Sequence, residues 1–449
     1  MKDVLTMILA GGKGSRLYPL TKDRAKPAVP FGGIYRIIDF VLNNCINSNL
    51  RKINVLTQYK FMSLDRHLKE GWGFLSRQLG EYIDIIPPQQ RVGEQWYQGT
   101  VNAIFQNMYT IEKESPSYVL ILSGDHVYKM DYSRMILFHK EKKADLTLAV
   151  TQVEKEQASR FGVVELNSQG QVLWFEEKPS LEKIEAWENK RVGGWKREGT
   201  DTHSPTFSPS YSPAAGYCWV SMGIYLFNTE VLLKKLREES VENCTQDIGE
   251  KFVPAMLEQN AVYGYPFGIH NPEFPSPPHP FPPRPQGGRE GGGDAGYWRD
   301  IGTLDAYWEA HMDLVSVTPL FNLYDRNWPI RTYQEQFPPP KFVHAEDYPG
   351  GRMGIALNSM VSQGCIISGG RVQSSVLSPN VRVNSYAQIY ESVLLEGVQI
   401  GRRAKIRRAI LDKGVIVPEG FEIGFNPERD RQQFVVSPGG IVVVSKDSF

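Results

Sequence analysis

The sequence predicts an α/β domain with a mostly parallel, doubly wound sheet, followed by a parallel β-helix. In residues 1–265, short apolar runs alternate with helix-like segments, a pattern typical of parallel sheets that helices cover on both faces. After residue 345, aliphatic residues recur every five or six positions, which fits neither an isolated helix nor a flat strand. These two different patterns of apolar residues indicate two domains, as expected for a chain of 449 residues.

The alternating pattern of the first domain can be divided into individual elements. The predicted strands are Val4–Ala10, Ile53–Thr57, Tyr118–Leu122, Leu146–Val150 and Met222–Phe227, and the predicted helices cover residues 100–113, 131–143, 230–239 and 247–259. Ligands of parallel sheets bind at the carboxyl ends of the strands. The loop Gly11–Gly14 and the pair Gly124-Asp125 each follow a predicted strand directly, so we expect a site there.

Two segments interrupt the first domain, which we place at residues 1–317. Residues 181–217 and 270–296 are charged or rich in Ser, Pro and Gly, and we expect exposed, mobile insertions there. Both flank segments of the predicted site, so a lid role is the alternative to a tolerated surface loop. A Pro-rich strap at 318–345 then leads to the β-helix at 346–449.

The β-helix is predicted because aliphatic residues recur at a nearly regular spacing. Each aliphatic residue should fill the same inner position of successive coils. The predicted inner residues are Val361, Ile367, Val372, Leu377, Val383, Ile389, Leu394, Ile400, Ile406, Leu411, Val417 and Ile423.

Composition argues against several classes of partner. The chain has 50 basic and 50 acidic residues, so we expect neither nucleic acid nor a membrane surface as an electrostatic partner. Its four cysteines are scattered without a CxxC pair, which favours reduced thiols over zinc or disulfides. No apolar run approaches the length of a membrane span, and the amino terminus lacks signal-peptide character. We therefore expect a cytoplasmic protein.

The loop after the first strand has the residues of a phosphate site. Gly11, Gly12 and Gly14 let successive N–H groups point into one concavity, while Arg16 and Lys26 supply positive charge. A Walker A loop is excluded because Lys13 is followed by Gly rather than Ser or Thr. A dinucleotide fingerprint is excluded because Leu17 occupies the third small position. An ordinary tight turn remains the alternative.

A second candidate is the carboxylate that ends the apolar run YVLILSGD. Asp125 could hold Mg²⁺ that bridges phosphate oxygens of two substrates, and Gly124 would allow their close approach. A helix or turn cap is the alternative function of such an aspartate.

The sequence blocks LAGGKGSRLYPLT, RAKPAVPFGG and RIIDFVLNNCINS resemble the nucleotidyltransferases that make nucleoside-diphosphate sugars, and most of all the bacterial glucose-1-phosphate adenylyltransferase family. The resemblance continues in order along nearly the whole chain. Its further blocks are TQYK at 57–60, RHLKEGW at 66–72, PPQQR at 87–91, WYQGTVNAI at 96–104, GDHVYKMDYSRM at 124–135, FGVV at 161–164, EEKP at 176–179, SMGIYLF at 221–227, YWRDIGT at 297–303 and YDRNWPIRTY at 324–333.

The resemblance implies a reaction and an assembly. ATP and glucose 1-phosphate would give ADP-glucose and pyrophosphate with Mg²⁺ as cofactor, as the first committed step of glycogen synthesis. No enzyme nucleophile is needed, so catalysis would come from positioning and charge neutralisation. A left-handed coil of the β-helix, a homotetramer and small-molecule allosteric effectors are implied in the same way.

The resemblance also assigns residues to roles. The catalytic residues would be Arg16, Lys26, Asp125 and Asp300, with both aspartates as metal ligands. The nucleotide would contact Leu9, Ala10, Gly11, Gly12, Gly14, Ser15, Gln58, Gln89, Gly99 and Thr100. Glucose 1-phosphate would contact Tyr97, Gly162, Glu177, Lys178 and Ser221.

Several of these residues also have structural explanations. Thr100 precedes an amphipathic run and is predicted to cap a helix, a role compatible with nucleotide binding. Asp300 could instead cap the helix that begins near Thr303. Trp96, which also matches a family position near the nucleotide, could be buried in aromatic packing. The residues around Lys178, taken without the resemblance, predict only a charged turn.

Regulation is where this chain departs from the family. In the type that fructose 1,6-bisphosphate activates, a Lys follows FGG, whereas this chain has Ile34. That type also has a basic run near the carboxyl terminus, where this chain has Gln432-Gln433. Because two cations are lost, we expect an altered or weak response to this effector.

Three other functions remain open at this point. A related enzyme could use UTP, dTTP or GTP, since base choice depends on a few pocket contacts. A non-catalytic regulatory subunit would keep the fold, although Arg16, Lys26, Asp125, Lys178 and Asp300 are all retained. An acyltransferase ranks last, because the β-helix shows no His-centred block for that chemistry.

Overall fold

The computed structural model describes most of the chain. The described residues are 1–88, 96–194, 211, 213–214, 216–238, 247–268, 296–346 and 348–449, with backbone alone for 188–194.

A nine-stranded sheet forms the centre of the first domain. The strands of this domain are β1 Val4–Ala10, β2 Pro30–Phe31, β3 Tyr35–Arg36, β4 Lys52–Thr57, β5 Tyr82–Ile86, β6 Tyr118–Ser123, β7 His126–Tyr128, β8 Leu146–Glu154, β9 Gly162–Leu166, β10 Val172–Glu177, β11 Tyr217–Asn228, β12 Val262–Pro266 and β13 Trp298–Asp300. The order is β10-β9-β11-β6-β1-β4-β5, and β8 pairs with β11 and β12. Within this nine-stranded sheet, all strands run in one direction except β10 and β11. The predicted mostly parallel sheet is therefore confirmed.

The central strand β1 shows why the sheet is covered on both faces. Leu5 and Met7 are fully buried in one hydrophobic core, while Val4 and Ile8 are fully buried in another. Side chains alternate between the faces of a strand, so an apolar run such as VLTMILA buries both faces at once.

The helices belong to the first domain, except for the last, which lies in the second domain. They are α1 Ile37–Asn47, α2 Met62–Gly71, α3 Thr100–Phe105, α4 Met108–Glu114, α5 Tyr132–Lys142, α6 Lys155–Ala158, α7 Leu181–Gly194, α8 Thr229–Glu238, α9 Val253–Leu257, α10 Leu304–Leu314 and α11 Pro427–Gln433. The helix predicted at 100–113 is two helices, α3 and α4, divided at Gln106 and Asn107.

The first part of the insertion predicted at 181–217 is helical. Residues Leu181–Gly194 form α7, in which Ile184 is buried against Val163 and Cys218. Trp187 of this helix stacks on Trp174 with ring centroids 4.9 Å apart. These apolar contacts hold a helix whose sequence shows no clear periodicity. Most of the remainder, and nearly all of 270–296, lies outside the described residues.

The second domain is a parallel β-helix of three sheets. Its strands are β14 Lys341–Val343, β15 Ile355–Leu357, β16 Met360–Val361, β17 Ile366–Ser368, β18 Arg371–Gln373, β19 Val376–Leu377, β20 Arg382–Val383, β21 Gln388–Tyr390, β22 Val393–Leu394, β23 Gln399–Ile400, β24 Lys405–Arg407, β25 Ala409–Leu411, β26 Ile416–Val417, β27 Glu422–Ile423, β28 Val435–Val436 and β29 Val442–Val444. The sheets run β14-β17-β20-β23-β26, β15-β18-β21-β24-β27 and β16-β19-β22-β25-β29-β28.

The predicted inner residues form three columns, one in each sheet. Ile367, Val383, Ile400 and Val417 pair in the first column, Val372, Ile389, Ile406 and Ile423 in the second, and Val361, Leu377, Leu394 and Leu411 in the third. Val361 packs against one hydrophobic core and the other eleven residues belong to it, so all twelve are confirmed as inner residues. They fill one position on each of the three sides of a coil rather than one position in each coil, because partners in a column are 16 or 17 residues apart.

The segment between the domains is bound to both of them. Strand β14, inside the predicted strap at 318–345, pairs with β17, so the β-helix begins earlier than residue 346. Asn43 on α1 accepts a hydrogen bond from the Arg331 N–H (2.7 Å) and donates one to its carbonyl (2.8 Å). One hydrophobic core contains residues of both domains, including Phe31 and Tyr307 from the first and Ile410 from the second.

Across the described residues, no helix combines the length and the apolar character that crossing a bilayer requires.

Candidate active site

The two motifs predicted to form the site lie side by side. Strands β1 and β6 are parallel neighbours, and Leu9 pairs with Ser123 at their carboxyl ends. The Gly124 N–H donates to the Leu9 carbonyl at 3.0 Å. Because both strands end at the same edge of the sheet, the Gly loop and Asp125 meet there, as predicted.

A small second sheet brings Asp300 to the same place. Strand β13 pairs antiparallel with β7, which directly follows Asp125, and Asp300 lies opposite His126. The Thr303 hydroxyl, rather than Asp300, accepts the N-terminal hydrogen bond of α10 from Ala306. The capping role considered for Asp300 is therefore wrong.

Lys26 joins these two carboxylates. Its Nζ lies 2.7 Å from Asp125 Oδ2 and 3.2 Å from Asp300 Oδ1. The Ser123 hydroxyl donates to the other oxygen of Asp125, so Asp125 is held from two sides rather than capping a helix. One ammonium group thus neutralises part of the charge of two acids that come from distant parts of the chain.

The charges of this cluster support one another. Burial opposes the charge on Lys26, but the attraction of Asp125 and Asp300 outweighs it and raises the pKa of the lysine. Burial likewise opposes the charge on Asp125, and Lys26, followed by His126, lowers the pKa of that carboxyl well below its usual range. Both groups are therefore charged at neutral pH.

The cluster also fits a divalent cation. One potential ligand atom each from Asp125, His126 and Asp300 lies within 4.8 Å of the others. The Asp125 and Asp300 side chains are 28% and 24% exposed, so a phosphate-bound ion can reach them. Magnesium prefers carboxylate oxygen, so these aspartates match it better than the His126 nitrogen does. The Lys26 ammonium pairs with the same two carboxylates whose charge such an ion would neutralise.

The Gly-rich loop is shaped by close contacts. Gly14 has a φ of +62°, and a Cβ there would lie 3.0 Å from side-chain atoms of both Lys26 and Thr21. A Cβ on Gly11 would lie 3.2 Å from Gln58 Cβ, whereas one on Gly12 would meet nothing within 4 Å. Gly14 is thus required for the turn, while the space at Gly12 is free for a ligand.

A cavity of about 330 Å³ opens between this loop and α3. It is lined by Leu9, Ala10, Gly11, Gly12, Lys26, Pro27, Leu56, Gln58, Tyr59, Tyr97, Gln98, Gly99, Thr100, Ala103, Ser123, Asp125 and Asp247. The structure therefore brings together most of the residues predicted to contact the nucleotide, and places Lys26 and Asp125 in the same wall.

Other predicted residues lie elsewhere. Ser15 and Arg16 are exposed in the short helix Ser15–Leu17 and are not among the described residues that line the cavity. Gln89 lies outside the described residues. Trp96 is 50% exposed and packs on Tyr59 at 5.4 Å, so the idea that it is buried is wrong.

The predicted capping role of Thr100 is also wrong. Gly99 is the N-cap of α3, and Thr100 is the first residue of the helix. The Thr100 hydroxyl accepts a hydrogen bond from the Ile248 N–H at 2.8 Å and lies 3.3 Å from Asp247 Oδ1. Thr100 instead joins α3 to the segment that contains Asp247.

The residues predicted to contact the sugar form a second group around Glu177. Gly162 pairs with Glu177 at the ends of β9 and β10. A Cβ on Gly162 would lie 2.8 Å from Glu177 Oε2, and one on Gly249 would collide with the same carboxylate. Two glycines therefore leave the space that Glu177 occupies.

Lys178 follows with a φ of +46°, an uncommon conformation for a residue with a side chain. Its Nζ is 2.9 Å from Glu177 Oε1 and its side chain is 57% exposed. Burial opposes its charge, but Glu177, and then Asp247 and Glu250, raise the pKa of Lys178. An exposed cation held at this place can meet an anionic ligand.

Ser221 and Tyr97 are both buried. The Ser221 hydroxyl donates to Tyr225 at 3.3 Å, at an irregularity in β11. The Tyr97 hydroxyl accepts a hydrogen bond from Asn107 at 3.0 Å, and burial raises the pKa of Tyr97. The Tyr97 oxygen thus already accepts one hydrogen bond, and the residue lines the cavity.

Sequence reasoning missed three residues of this region. His126 lies beside both aspartates, 3.4 Å from Asp125 and 3.8 Å from Asp300. Asp247 lines the cavity, contacts Thr100 and acts on the charge of Lys178, so it connects the two halves of the site. Gly249 lies against Glu177. Only His126 had a sequence signal, because it follows Asp125 directly.

Two family models match this chain. A nucleotidyl transferase model matches residues 5–317, and a GlmU-like C-terminal hexapeptide model matches residues 338–444. The second match agrees with the left-handed β-helix implied by the resemblance.

Curated relatives match over nearly the full length. A glucose-1-phosphate adenylyltransferase of Koribacter versatilis is 48% identical over 449 residues, covering 100% of this chain and 96% of that protein. Proteins of the same name from Rhodopirellula baltica and Methylococcus capsulatus are 46% and 45% identical, and cover 90% and 94% of their own lengths. The chain therefore belongs to the glucose-1-phosphate adenylyltransferase family.

Proposed function

We propose that this chain transfers the adenylyl group of ATP to glucose 1-phosphate, giving ADP-glucose and pyrophosphate. The observation that carries the proposal is the Lys26–Asp125–Asp300 cluster, of which Lys26 and Asp125 line a cavity beside a Gly-rich loop. The family supports the choice of both substrates.

The reaction is an attack by the phosphate oxygen of the sugar on the α-phosphorus of ATP, with pyrophosphate as the leaving group. The attacking oxygen is already anionic, so a nucleophilic side chain is unnecessary. The protein must align the substrates and stabilise the charge that builds up on the leaving group.

On the nucleotide side, the N–H groups of the Gly loop would contact the triphosphate. Lys26 would turn from the carboxylates toward phosphate oxygens, which compete for the same ammonium group. Arg16 would move from solvent toward the leaving pyrophosphate, where its planar fork suits two oxygens. Asp125 and Asp300 would hold Mg²⁺, which would supply charge neutralisation between the substrates.

On the sugar side, Lys178 would bind the phosphate of glucose 1-phosphate and Glu177 would accept hydrogen bonds from sugar hydroxyls. Gly162 keeps the space for Glu177 open, while Ser221 and Tyr97 complete the pocket. Asp247 lies between the two groups, at the place where the sugar phosphate would approach the nucleotide.

The test is release of pyrophosphate from purified protein with Mg²⁺ and glucose 1-phosphate, comparing ATP, UTP, dTTP and GTP. ATP should be turned over fastest, and Asp125→Asn should lose at least about a hundredfold in kcat. Asp447→Asn, a change in a 66% exposed side chain, is the matched control. Preference for another nucleotide would contradict the adenylyl assignment. No turnover with any nucleotide would favour a regulatory subunit.

Family membership supports four further proposals. These are a role in glycogen synthesis, a homotetramer, regulation by small-molecule effectors and a cytoplasmic location. The response to fructose 1,6-bisphosphate should be weak because of Ile34 and Gln432-Gln433. Strong activation in a titration with this ligand would contradict that prediction.

A further inference from the structure

A buried ion pair joins the domains close to the catalytic lysine. Arg24 Nη1 and Nη2 lie 2.8 Å and 3.2 Å from the two carboxylate oxygens of Asp412. The side chains are 10% and 5% exposed, and Asp412 directly follows β25 of the β-helix. A two-pronged contact of this kind fixes both distance and orientation.

Arg24 lies only two residues before Lys26, in a segment outside the central sheet. Residues 18–24 form turns and bends, and Lys26–Ala28 is a short helix. The position of this segment therefore depends strongly on contacts such as Thr21 Oγ1 to the Gly14 carbonyl (2.9 Å) and Arg24 to Asp412.

The β-helix also holds the element that follows Asp300. Trp308 on α10 donates to the Glu391 carbonyl at 2.7 Å, and the Ser437 hydroxyl donates to Asp305. Two of the three members of the catalytic cluster are thus attached to segments docked on the β-helix, whereas Asp125 belongs to the central sheet.

We propose that Arg24 is a positioning residue, which through its buried pair with Asp412 fixes the segment that presents Lys26 to the site beside Asp125 and Asp300. The inference rests on the catalytic role proposed above for Lys26. The β-helix then supports turnover directly, because its Asp412 anchors the segment that presents the lysine. Loosening this segment should lower kcat more than it raises the KM for glucose 1-phosphate. The residues proposed to bind the sugar, which surround Glu177, lie on other strands.

The first test compares two ion pairs across the same junction. Lys22 and Asp447 also pair between the domains at 2.6 Å, but their side chains are 45% and 66% exposed. Asp412→Asn should lower kcat by about tenfold or more with KM for glucose 1-phosphate within about twofold. Asp447→Asn should leave both parameters unchanged. Equal kcat values for the two folded variants would overturn the proposal.

Two further variants separate positioning from folding. Arg24→Lys keeps the charge but loses the fork, so it should show a smaller loss of kcat at an unchanged thermal midpoint. The exchange Arg24→Asp with Asp412→Arg should recover part of the lost turnover. If Asp412→Asn fails to fold, unchanged kcat in folded Arg24→Lys would overturn the proposal.

A double-mutant cycle tests whether the pair acts through the lysine. In a Lys26→Gln background, Asp412→Asn should cost little further turnover, because the group that it positions is already gone. The same loss in both backgrounds would overturn the proposal. Full activity of Lys26→Gln alone would instead contradict the role of Lys26, and so distinguishes failure of the proposed function from failure of this inference.

Discussion

The β-helix and the proposed catalytic cluster of Lys26, Asp125 and Asp300 are both held by side-chain contacts, but over very different distances along the chain. In the β-helix, the Ser392 N–H donates to Ser375 Oγ and the Ala409 N–H to Ser392 Oγ, each pair separated by 17 residues. In the catalytic cluster, Lys26 contacts Asp125 and Asp300 across separations of 99 and 274 residues. A local repeat stabilises the first region, whereas the second exists only when the whole fold has formed.

Because of this difference, we expect mutations in the two regions to affect different properties of the protein. A change in the cluster should remove turnover with little effect on folding, and a change in a β-helix column should lower stability with little effect on the chemistry. The four predictions below test this contrast, from the largest expected effect to the smallest.

Asp300→Asn should lower kcat by about a hundredfold or more, because one of the two carboxylates proposed to hold the metal loses its charge. The thermal midpoint should change little, since Asp300 is partly exposed and its removal leaves Lys26 paired with Asp125. Steady-state kinetics and a melting curve check both claims. Asp65→Asn, in an i,i+4 surface pair, is the control. A fully active Asp300→Asn enzyme would contradict its place in the cluster.

Ile389→Ala should lower the free energy of unfolding by about 2–5 kcal/mol, because a fully buried residue of the second column leaves a cavity. Ile416→Ala, at a position that is 60% exposed on the same coil domain, should cost less than about 1 kcal/mol. Denaturant unfolding measures both. Well below the melting temperature, kcat of Ile389→Ala should equal that of the parent enzyme. Equal stability of the two variants would contradict the assignment of the inner column.

Acid should destabilise the packing of α10 in the first domain through His311. This residue accepts a hydrogen bond from the Gly32 N–H at 3.1 Å and donates to the Tyr307 carbonyl, and burial lowers its pKa to about 4. The unfolded chain binds the proton first, so the free energy of unfolding should fall as pH drops from about 6.5 toward 4, by up to about 3 kcal/mol.

His311→Gln offers a control for this effect. A Gln oxygen can accept from Gly32 without titrating, so unfolding free energies measured between pH 7 and pH 4 should show a flatter slope in this variant. His139 has its own pKa lowered to about 4 by burial and should leave a residual slope. Identical slopes in parent and variant would contradict the role of His311.

Gly12→Ala should raise the KM for ATP several-fold at unchanged stability, because its Cβ would enter space that the protein leaves empty. Gly424→Ala in the β-helix is the contrasting change. Its φ is +81° and its Cβ would collide with the Arg407 carbonyl, so this variant should lose stability instead. Melting curves and ATP titrations separate the outcomes. A loss of stability in Gly12→Ala would contradict the conclusion that the space beside Gly12 is empty.

The same contrast explains what could be predicted from sequence. The twelve predicted inner residues of the β-helix were identified because their spacing repeats and neighbours one coil away cover them. Val444, which pairs with Leu411, was not predicted because α11 interrupts the spacing before it. Asp125 and the Gly loop were found because both follow apolar strands. The structure adds what joins them: β7 and β13 place Asp300 opposite His126.

Contacts between distant segments left no signal. Asp247 and Gly249 belong to no recognisable pattern, yet they lie against Thr100 and Glu177. Thr100 was expected to cap α3, but the Ile248 N–H from a distant segment binds its hydroxyl instead. Helix α7 was missed because its stability depends on Ile184 and the stacked Trp187 packing against the sheet.

Binding of Mn²⁺ in place of Mg²⁺, followed by electron paramagnetic resonance, tests most directly whether Asp125 and Asp300 act as one site. The titration would use the full chain with a non-hydrolysable ATP analogue, with and without the double change Asp125→Asn and Asp300→Asn. The double variant should bind Mn²⁺ at least about tenfold more weakly than the parent, at an unchanged melting temperature. Equal Mn²⁺ affinity in the two proteins would contradict a shared metal site at Asp125 and Asp300.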